Sequence, residues 1–412
     1  MYNQLDMHIS QEKIAIIGAG AAGCFAAIEI KRRKPEAEVV IYEAAPKPMI
    51  KLALTGGGRC NLTNSFRDVG ALTEVYPRGA RLLQRAFKSF DHEDAMAWFE
   101  GEGVRLVTQQ DQCVFPVSQD AMQIVRLFLR RIEQLGISLL CDKKLSRINT
   151  CPQGGFELQF SDSQKVLAQK VLVTIGGSSS DRLRSLLPED IEITQSMPSL
   201  FTFKISDMRL RSLMGTVVQE ATLSLAGTKF RASGTLLITD WGVSGPVTLR
   251  LSSYAAEHLF RQQYRSVLIV NWLSCDEDAA RKFLRSASQA HAKKQICNIR
   301  PEGIADRLWR HLLARAGVKE ELRWAELGGK ALNKLVNVLV CDEYSIEGRA
   351  HFKEEFVTCG GVALSEVQLN TLESRKHPGL FFAGEVLDID GVTGGFNLQA
   401  AWTTAKVVSM SI

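Results

Sequence analysis

Apolar positions run unbroken at 14–17 and 39–42, and between them lie glycines followed by helix-favouring residues from 22 to 33. Short, mostly β-branched runs of this kind suit strands buried on both faces of a parallel sheet. Pro35 ends the helix, so 13–43 is predicted to form one strand–helix–strand unit of about 30 residues. From 44 to 76 Gly, Pro, Asn and Thr accumulate and predict a long loop, a class of segment that is usually functional. Residues 79–135 read as mainly helical, with Asp120 as the N-cap of a helix over 121–135 and Gly136 closing it. Short strands follow at 137–140, 156–160 and 166–174, with Gly154-Gly155 as a turn. The pattern then changes: alternating runs at 200–205, 220–225, 234–239 and 266–271 are split by turn residues, which predicts an antiparallel sheet or barrel. Residues 276–340 are helical and well charged, and strands and glycines return from Glu355 onward.

The predicted fold class is therefore α/β. A Rossmann-like dinucleotide-binding domain occupies 1–197 and 350–412. It is interrupted by a β-barrel-like insertion over 198–275, extending as far as 350, whose helical lobe spans 276–345.

A length of 412 residues allows more than one core. Mean hydropathy of −0.03 and 23% charged residues suit a water-soluble globular chain. No apolar run approaches the roughly 18–20 residues that span a bilayer. The stretch 1–13 is mixed and polar, without the basic and apolar regions of a secretory leader, so the cytoplasm is expected and no membrane partner. Net charge is +5. The densest basic cluster, Lys31 to Lys34, sits at the predicted end of the first helix, where cations complement the helix dipole. A second, Arg130-Arg131, is short. Charge spread in this way predicts no stable nucleic-acid partner. The nine cysteines, at 24, 60, 113, 141, 151, 275, 297, 341 and 359, include no CxxC pair. A disulfide framework, a metal centre and a dithiol redox pair all lose support.

Candidate chemistry begins at Gly18-Ala19-Gly20-Ala21-Ala22-Gly23, a GxGxxG motif directly after a strand and opening a helix. Gly18 permits the tight turn, Gly20 lets backbone approach a pyrophosphate, and Gly23 lets helix and strand pack closely. The helix N-terminus offers N–H groups and partial positive charge to the phosphates. Glu43 closes the second strand twenty positions past Gly23, where a carboxylate can take ribose hydroxyls and would repel a 2′-phosphate. The motif alone separates neither NAD from FAD.

A second glycine loop, Thr55-Gly56-Gly57-Gly58-Arg59-Cys60-Asn61-Leu62-Thr63-Asn64, suggests backbone lying against a ligand. Arg59 could balance pyrophosphate charge, and Asn61, Thr63 and Asn64 could hydrogen-bond a ring or ribityl chain. Cys60 beside Arg59 could be a reactive thiol, or a small residue that packs. Near the end, 380–383 reads as a buried strand and Gly394-Gly395 opens a helix over 396–408. That second helix N-terminus suits the negative charge that reduction places on a flavin, and Asp388 could bind a ribityl hydroxyl. A plain NAD dehydrogenase has no need of this returning segment, so FAD is the expected cofactor.

Taken together, GAGAAG (18–23), TGGGRCNLTN (55–64), CVFPVS (113–118), VLVTIGG (171–177), WGVSGP (241–246), TCGGV (358–362) and GLFFAGEVLDIDGVTGGFNLQAAW (379–402) are recognisable. The chain resembles the aminoacetone-oxidase-like (BaiN/YhiN-like) family of FAD-dependent oxidoreductases, which includes flavoproteins that reduce steroid enones. The resemblance implies that Gly18, Gly20, Ala21, Ala22, Gly23, Glu43 and Ala44 hold the ADP half of FAD. It further implies that Lys51, Gly57, Gly58, Arg59, Cys60, Asn61, Thr63, Asn64, Thr174, Gly176, Gly177, Gly384, Glu385, Asp388, Gly394, Gly395, Phe396 and Asn397 line the cofactor. Three places depart from the family pattern. Met49-Ile50-Lys51 stands where Gly-Arg-Lys is usual, Ser178-Ser179-Ser180-Asp181 follows Gly177, and Asp240 replaces a common His after Thr239.

The expected activity is hydride transfer between a small organic substrate and FAD. Two directions stay open: an oxidase acting on an amine or aminoketone, or an NAD(P)H-dependent reductase of an enone. With one GxGxxG motif, NAD(P)H would visit only transiently. A different class, a flavin-dependent nucleic-acid-modifying enzyme or a protein that uses FAD structurally, is the alternative. No residue is singled out as a catalytic acid or base, and the sequence sets no oligomeric state.

Overall fold

The computed structural model describes residues 12–350 and 357–412. Residues 1–11, most of the stretch read for a leader, lie outside that description, as do Glu355 and Phe356, where the strand-rich character was expected to resume. The chain divides into two units, one made of Met1–Met197 with Val357–Ile412 and the other of Pro198–Phe356.

The first unit is built on a five-stranded parallel sheet in the order Leu380–Phe382, Lys170–Val173, Lys13–Ile17, Glu38–Tyr42, Ser138–Leu140. The central strand is buried from Ile14 to Ile17, as its unbroken apolar run requires. The chain leaves that strand first toward one edge and later returns on its other side. Ligands bind at the carboxyl ends of strands where the order reverses in this way. Gly18 and Thr174 stand there side by side.

Ala21–Arg33 and the terminal helix Phe396–Ser411 are both largely buried in this unit. Their aromatic residues Phe25 and Trp402 join Phe90, Trp98 and Phe128 in one ring-on-ring cluster. Asp120 caps Ala121–Gln134 by accepting from Met122 N at 2.8 Å.

Three expectations change. The stretch 79–135 is not continuous helix: strands Leu106–Thr108 and Cys113–Pro116 interrupt it, and the latter pairs with Thr63–Asn64. The apolar run at 166–174 divides at Gln169 into Lys165–Ala168 and Lys170–Val173, which belong to different sheets. The loop at 44–76 contains a short helix opening at Ile50, whose helical geometry fails at Thr55, Gly56 and Gly57. Local pattern could not foresee the first two, because each is set by strand pairing with a partner distant in sequence.

The second unit is a closed six-stranded barrel: Phe203–Ile205, Gly242–Ser244, Arg231–Ile238, Val217–Leu225, Ser266–Asn271 and Asp342–Arg349. Its closing strand begins inside the stretch read as helical to 345. Helices Glu277–Ala290, Asp306–Ala316 and Gly329–Val340 form the lobe. Leu236, Leu268, Trp272, Leu284, Trp309 and Leu339 bury the barrel and the lobe in a single core.

Candidate functional site

The glycine turn shows which glycines the protein needs for itself. A Cβ on Gly18, at φ +107°, would lie 2.6 Å from the carbonyl oxygen of Thr174, and one on Gly23 would run into the carbonyl oxygen of Gly18. Gly20 differs: a Cβ there would meet no protein atom within 4 Å. Packing within the chain demands the first and third glycines but not the second, and the space beside Gly20 is what a pyrophosphate requires. Gly20 is also the N-cap of the first helix and offers no capping side chain, which leaves the first-turn N–H groups available to an anion.

Thr174 braces the turn, its Oγ1 lying 2.9 Å from Gly18 O and 3.0 Å from Ile17 O. Glu43 accepts from Ala19 N at 2.7 Å and from Ala45 N at 2.8 Å, so it spans the glycine turn and the bend around Ala44. A carboxylate has about four acceptor positions, and two remain for ribose hydroxyls.

The second glycine loop meets the C-terminal segment directly. Thr63 Oγ1 donates to Gln399 Oε1 at 2.6 Å, and Asn64 Nδ2 donates to Gly394 O at 3.1 Å. In the amide orientation that satisfies both neighbours, Asn61 donates to Thr63 O at 2.9 Å and accepts from Gly395 N at 3.1 Å. Gly395 has φ +89°, and a Cβ there would strike Thr63 O. These three polar side chains, expected as ligand contacts, tie together two stretches more than 300 residues apart, because buried hydrogen-bonding groups need partners. Backbone is left to face a ligand: Cβ atoms on Gly57 and Gly58 would meet nothing within 4 Å.

Asn397 is likewise occupied, donating to Gly391 O and accepting from Gly391 N, each at 2.8 Å. Phe396 packs edge-on against Phe66, and its carbonyl accepts from Tyr76 Oη at 2.8 Å.

Around the 384–390 turn, Gly384 N donates to Thr404 Oγ1 at 2.9 Å, and Ala22 lies close enough that a Cβ on Gly384 would sit 3.1 Å from its own. Glu385 accepts from Thr358 N at 2.9 Å and lies 3.8 Å from Lys51 Nζ, an exposed cation. Gly177 leaves room for that carboxylate, since a Cβ would approach it to 2.7 Å; Gly176 turns the chain at φ +72°. Asp388 accepts from Gly360 N at 3.0 Å, and burial holds its carboxyl above the usual range despite that bond and the nearby Arg78. Arg78 forms a two-pronged ion pair with the fully buried Asp390.

Burial decides between the two alternatives for Cys60, and Arg59 has partners within the protein. Cys60 is fully buried, and burial pushes its thiol up to about 12. It is therefore a packing residue, without the thiolate that a reactive cysteine needs. Arg59 stacks over the Phe115 ring at 4.4 Å and donates to Gly56 O at 3.1 Å, so the loop and the strand Cys113–Pro116 together orient its guanidinium. Sequence reasoning missed Tyr76, Arg78, Asp390, Gln399 and Trp402, whose indole donates to Leu62 O at 2.9 Å. Asp390, Gln399 and Trp402 lie within the 379–402 motif, but nothing in the sequence alone assigned any of the five a partner. Among the described residues no group of His, Cys, Asp and Glu is arranged to hold a metal. Nor is any helix there long and apolar enough to cross a membrane.

A family model described as the HI0933-like protein Rossmann domain matches residues 12–411. The chain belongs to the HI0933-like family. With it comes the class of activity: an FAD-dependent oxidoreductase. A 3-dehydro-bile acid delta(4,6)-reductase of Clostridium scindens is 27% identical over 405 residues, 95% of this chain and 97% of the relative. A ribosomal RNA dihydrouridine synthase of Escherichia coli is 28% identical over 408 residues, 95% of each chain. Among solved structures, the 3-ketosteroid-delta4-(5alpha)-dehydrogenase of Rhodococcus jostii RHA1 superposes with a TM-score of 0.50 at 14% identity, over 98% of both chains, which speaks to the shared fold.

The open cradle at Gly20 and the two helix N-termini fit FAD. The glycine turn and Glu43 would hold its ADP half, and the 57–64 and 384–397 backbone its flavin half.

Proposed function

We propose that this family member reduces a carbon–carbon double bond conjugated with a carbonyl, and that the bond belongs to a uracil ring in RNA. The observation that carries the first half is the chemistry common to the relatives' names. A bile-acid delta(4,6)-reductase and a dihydrouridine synthase both saturate such a bond. Bound FAD would supply the hydride taken at the β carbon, the α carbon taking a proton from solvent or a side chain, with NAD(P)H restoring the electrons. The chain's own part is to bind and orient: Thr174 and Glu43 fix the phosphate turn, and the Asn61–Thr63–Gln399 ties fix the second.

Charge supports RNA over a free steroid. The unit 198–356 holds 23 Lys and Arg against 17 Asp and Glu, while the remainder holds 27 against 28. The positive excess is thus confined to one unit, contrary to the even spread expected from the sequence, and favours a polyanion. A cytoplasmic setting, where NAD(P)H and RNA are both present, belongs to the same reading.

The test is anaerobic. NADH or NADPH should bleach the flavin, and unmodified ribosomal RNA transcript should restore its colour while forming dihydrouridine. Reoxidation by a steroid enone but not by RNA would move the substrate to the small-molecule class. Bleaching by amines, with reoxidation by dioxygen alone, would replace the reductase with an oxidase.

A further inference from the structure

The excess positive charge of the second unit is gathered on its helical lobe. In Glu277–Ala290 the buried positions Ala280, Leu284 and Ala287 define the inner face. Lys282 and Arg285 point the other way and are exposed. The helix ends at His291, and Lys293 and Lys294 follow on its turn, both exposed. That turn is fixed by a backbone ladder: Trp324 N donates to Lys294 O at 3.0 Å, Ala325 N to Ala292 O at 3.0 Å and Ile296 N to Leu322 O at 2.8 Å. Arg323, exposed, is thereby held opposite Gln295.

Among the described residues none of these five cations lies within ion-pair distance of a carboxylate. Glu326, three residues after Arg323, accepts from Arg323 N at 2.9 Å, and Glu321, exposed two residues before it, pairs with none of the five. Asp278 precedes Lys282 by one helical turn without pairing to it. Cations after a helix C-terminus complement its dipole, which accounts for Lys293 and Lys294 but not for Lys282, Arg285 or Arg323. Exposed cations that no carboxylate pairs with are what a phosphate backbone recruits.

We infer that Lys282, Arg285, Lys293, Lys294 and Arg323 form the surface on which the lobe holds the RNA backbone, an inference that rests on the RNA reading above. These residues position the substrate through its phosphates and carry no base specificity.

The experiment uses the full-length, FAD-loaded protein and unmodified ribosomal RNA transcript, with binding measured across a salt series. Replacing Lys293, Lys294 and Arg323 together by Glu is expected to weaken binding at least about tenfold near 0.1 M salt. It should also flatten the plot of log affinity against log salt by roughly 2. Lys282→Glu with Arg285→Glu should act in the same direction. Flavin absorbance and bleaching by NAD(P)H should not change, nor should Arg105→Glu with Arg182→Glu in the first unit weaken binding. Should the Glu variants lose flavin, Gln at the same positions carries the test. Unchanged affinity and slope, with dihydrouridine still formed, overturns the surface and leaves the RNA reading standing. A parent protein that reduces an enone but binds no RNA overturns both.

Discussion

Gly20 and Gly23 occupy one motif but answer to different demands. A side chain at Gly23 collides with the backbone of Gly18, whereas one at Gly20 enters open space. Gly23→Ala should therefore lower the melting temperature of the FAD-free protein, at a cost of about 1–3 kcal/mol or more. Gly20→Ala should leave that temperature nearly unchanged while the purified protein loses its flavin absorbance. Melting curves of the two variants with and without FAD check this, and equal effects on the FAD-free protein would remove the assigned role of Gly20. At Cys60, burial and a thiol pushed up to about 12 predict full turnover in Cys60→Ser. No alkylation of that thiol should occur in the native state at neutral pH, as read by mass spectrometry.

At the scale of elements, the terminal helix is held by two different kinds of contact. One is the tie from Thr63 to Gln399, continued from Gln399 Nε2 to Thr403 Oγ1 at 3.0 Å and from Thr403 Oγ1 to Phe90 O at 2.9 Å. Gln399→Leu leaves the buried hydroxyl of Thr63 only its longer contact to Asn64 O, at 3.3 Å, and strands Thr403 Oγ1 without its donor, and should cost about 1–3 kcal/mol. FAD affinity should fall with it, because the Gly395 turn loses its support; denaturant titration and flavin release measure the two effects.

The other contact is ionic. Glu29 on the first helix pairs with Lys406 on the terminal helix and with Arg32, and accepts from Trp98 Nε1 at 3.0 Å. Arg32 and Arg131 both reach Glu102, at 2.5 Å. Burial opposes ionisation of both carboxylates, but their cationic partners outweigh it and hold both below the usual carboxylate range. The folded state then releases these protons more readily than the unfolded chain. The associated stability is complete above about pH 4.5, the unfolded range, and is lost as pH falls through the folded values. Lys406→Met should make the acid limb of the stability curve shallower in that window.

For the whole molecule, the site depends on one unit being assembled from both ends of the chain. Hydrogen exchange should show protection on FAD addition at 18–24 and at 394–398 together, and protection at only one of them would separate the two. At a hundredfold excess over Kd, FAD should add about 2.7 kcal/mol to that unit's stability. The strand–glycine–helix start and Glu43 were legible in the residues alone, because a phosphate turn needs fixed residue types at fixed local spacing. The barrel-like zone and the helical lobe were legible for a similar reason: period and turn residues are local properties. What Asn61, Thr63, Asn64 and Asn397 do was not legible, since an amide or hydroxyl suits a ligand as well as a distant backbone group. Only the folded chain shows Gly394, Gly395 and Gln399 within their reach. Burial likewise decided Cys60, whose charged neighbour in sequence suggested reactivity. The partition of charge needed the division into units, for a net value of +5 does not say where the excess lies. By itself the sequence determined the cofactor class and the local elements that grip it. Tertiary structure decided which polar groups face the protein and which surfaces remain open, because hydrogen-bond partners and exposure are set by contacts between residues far apart in the chain.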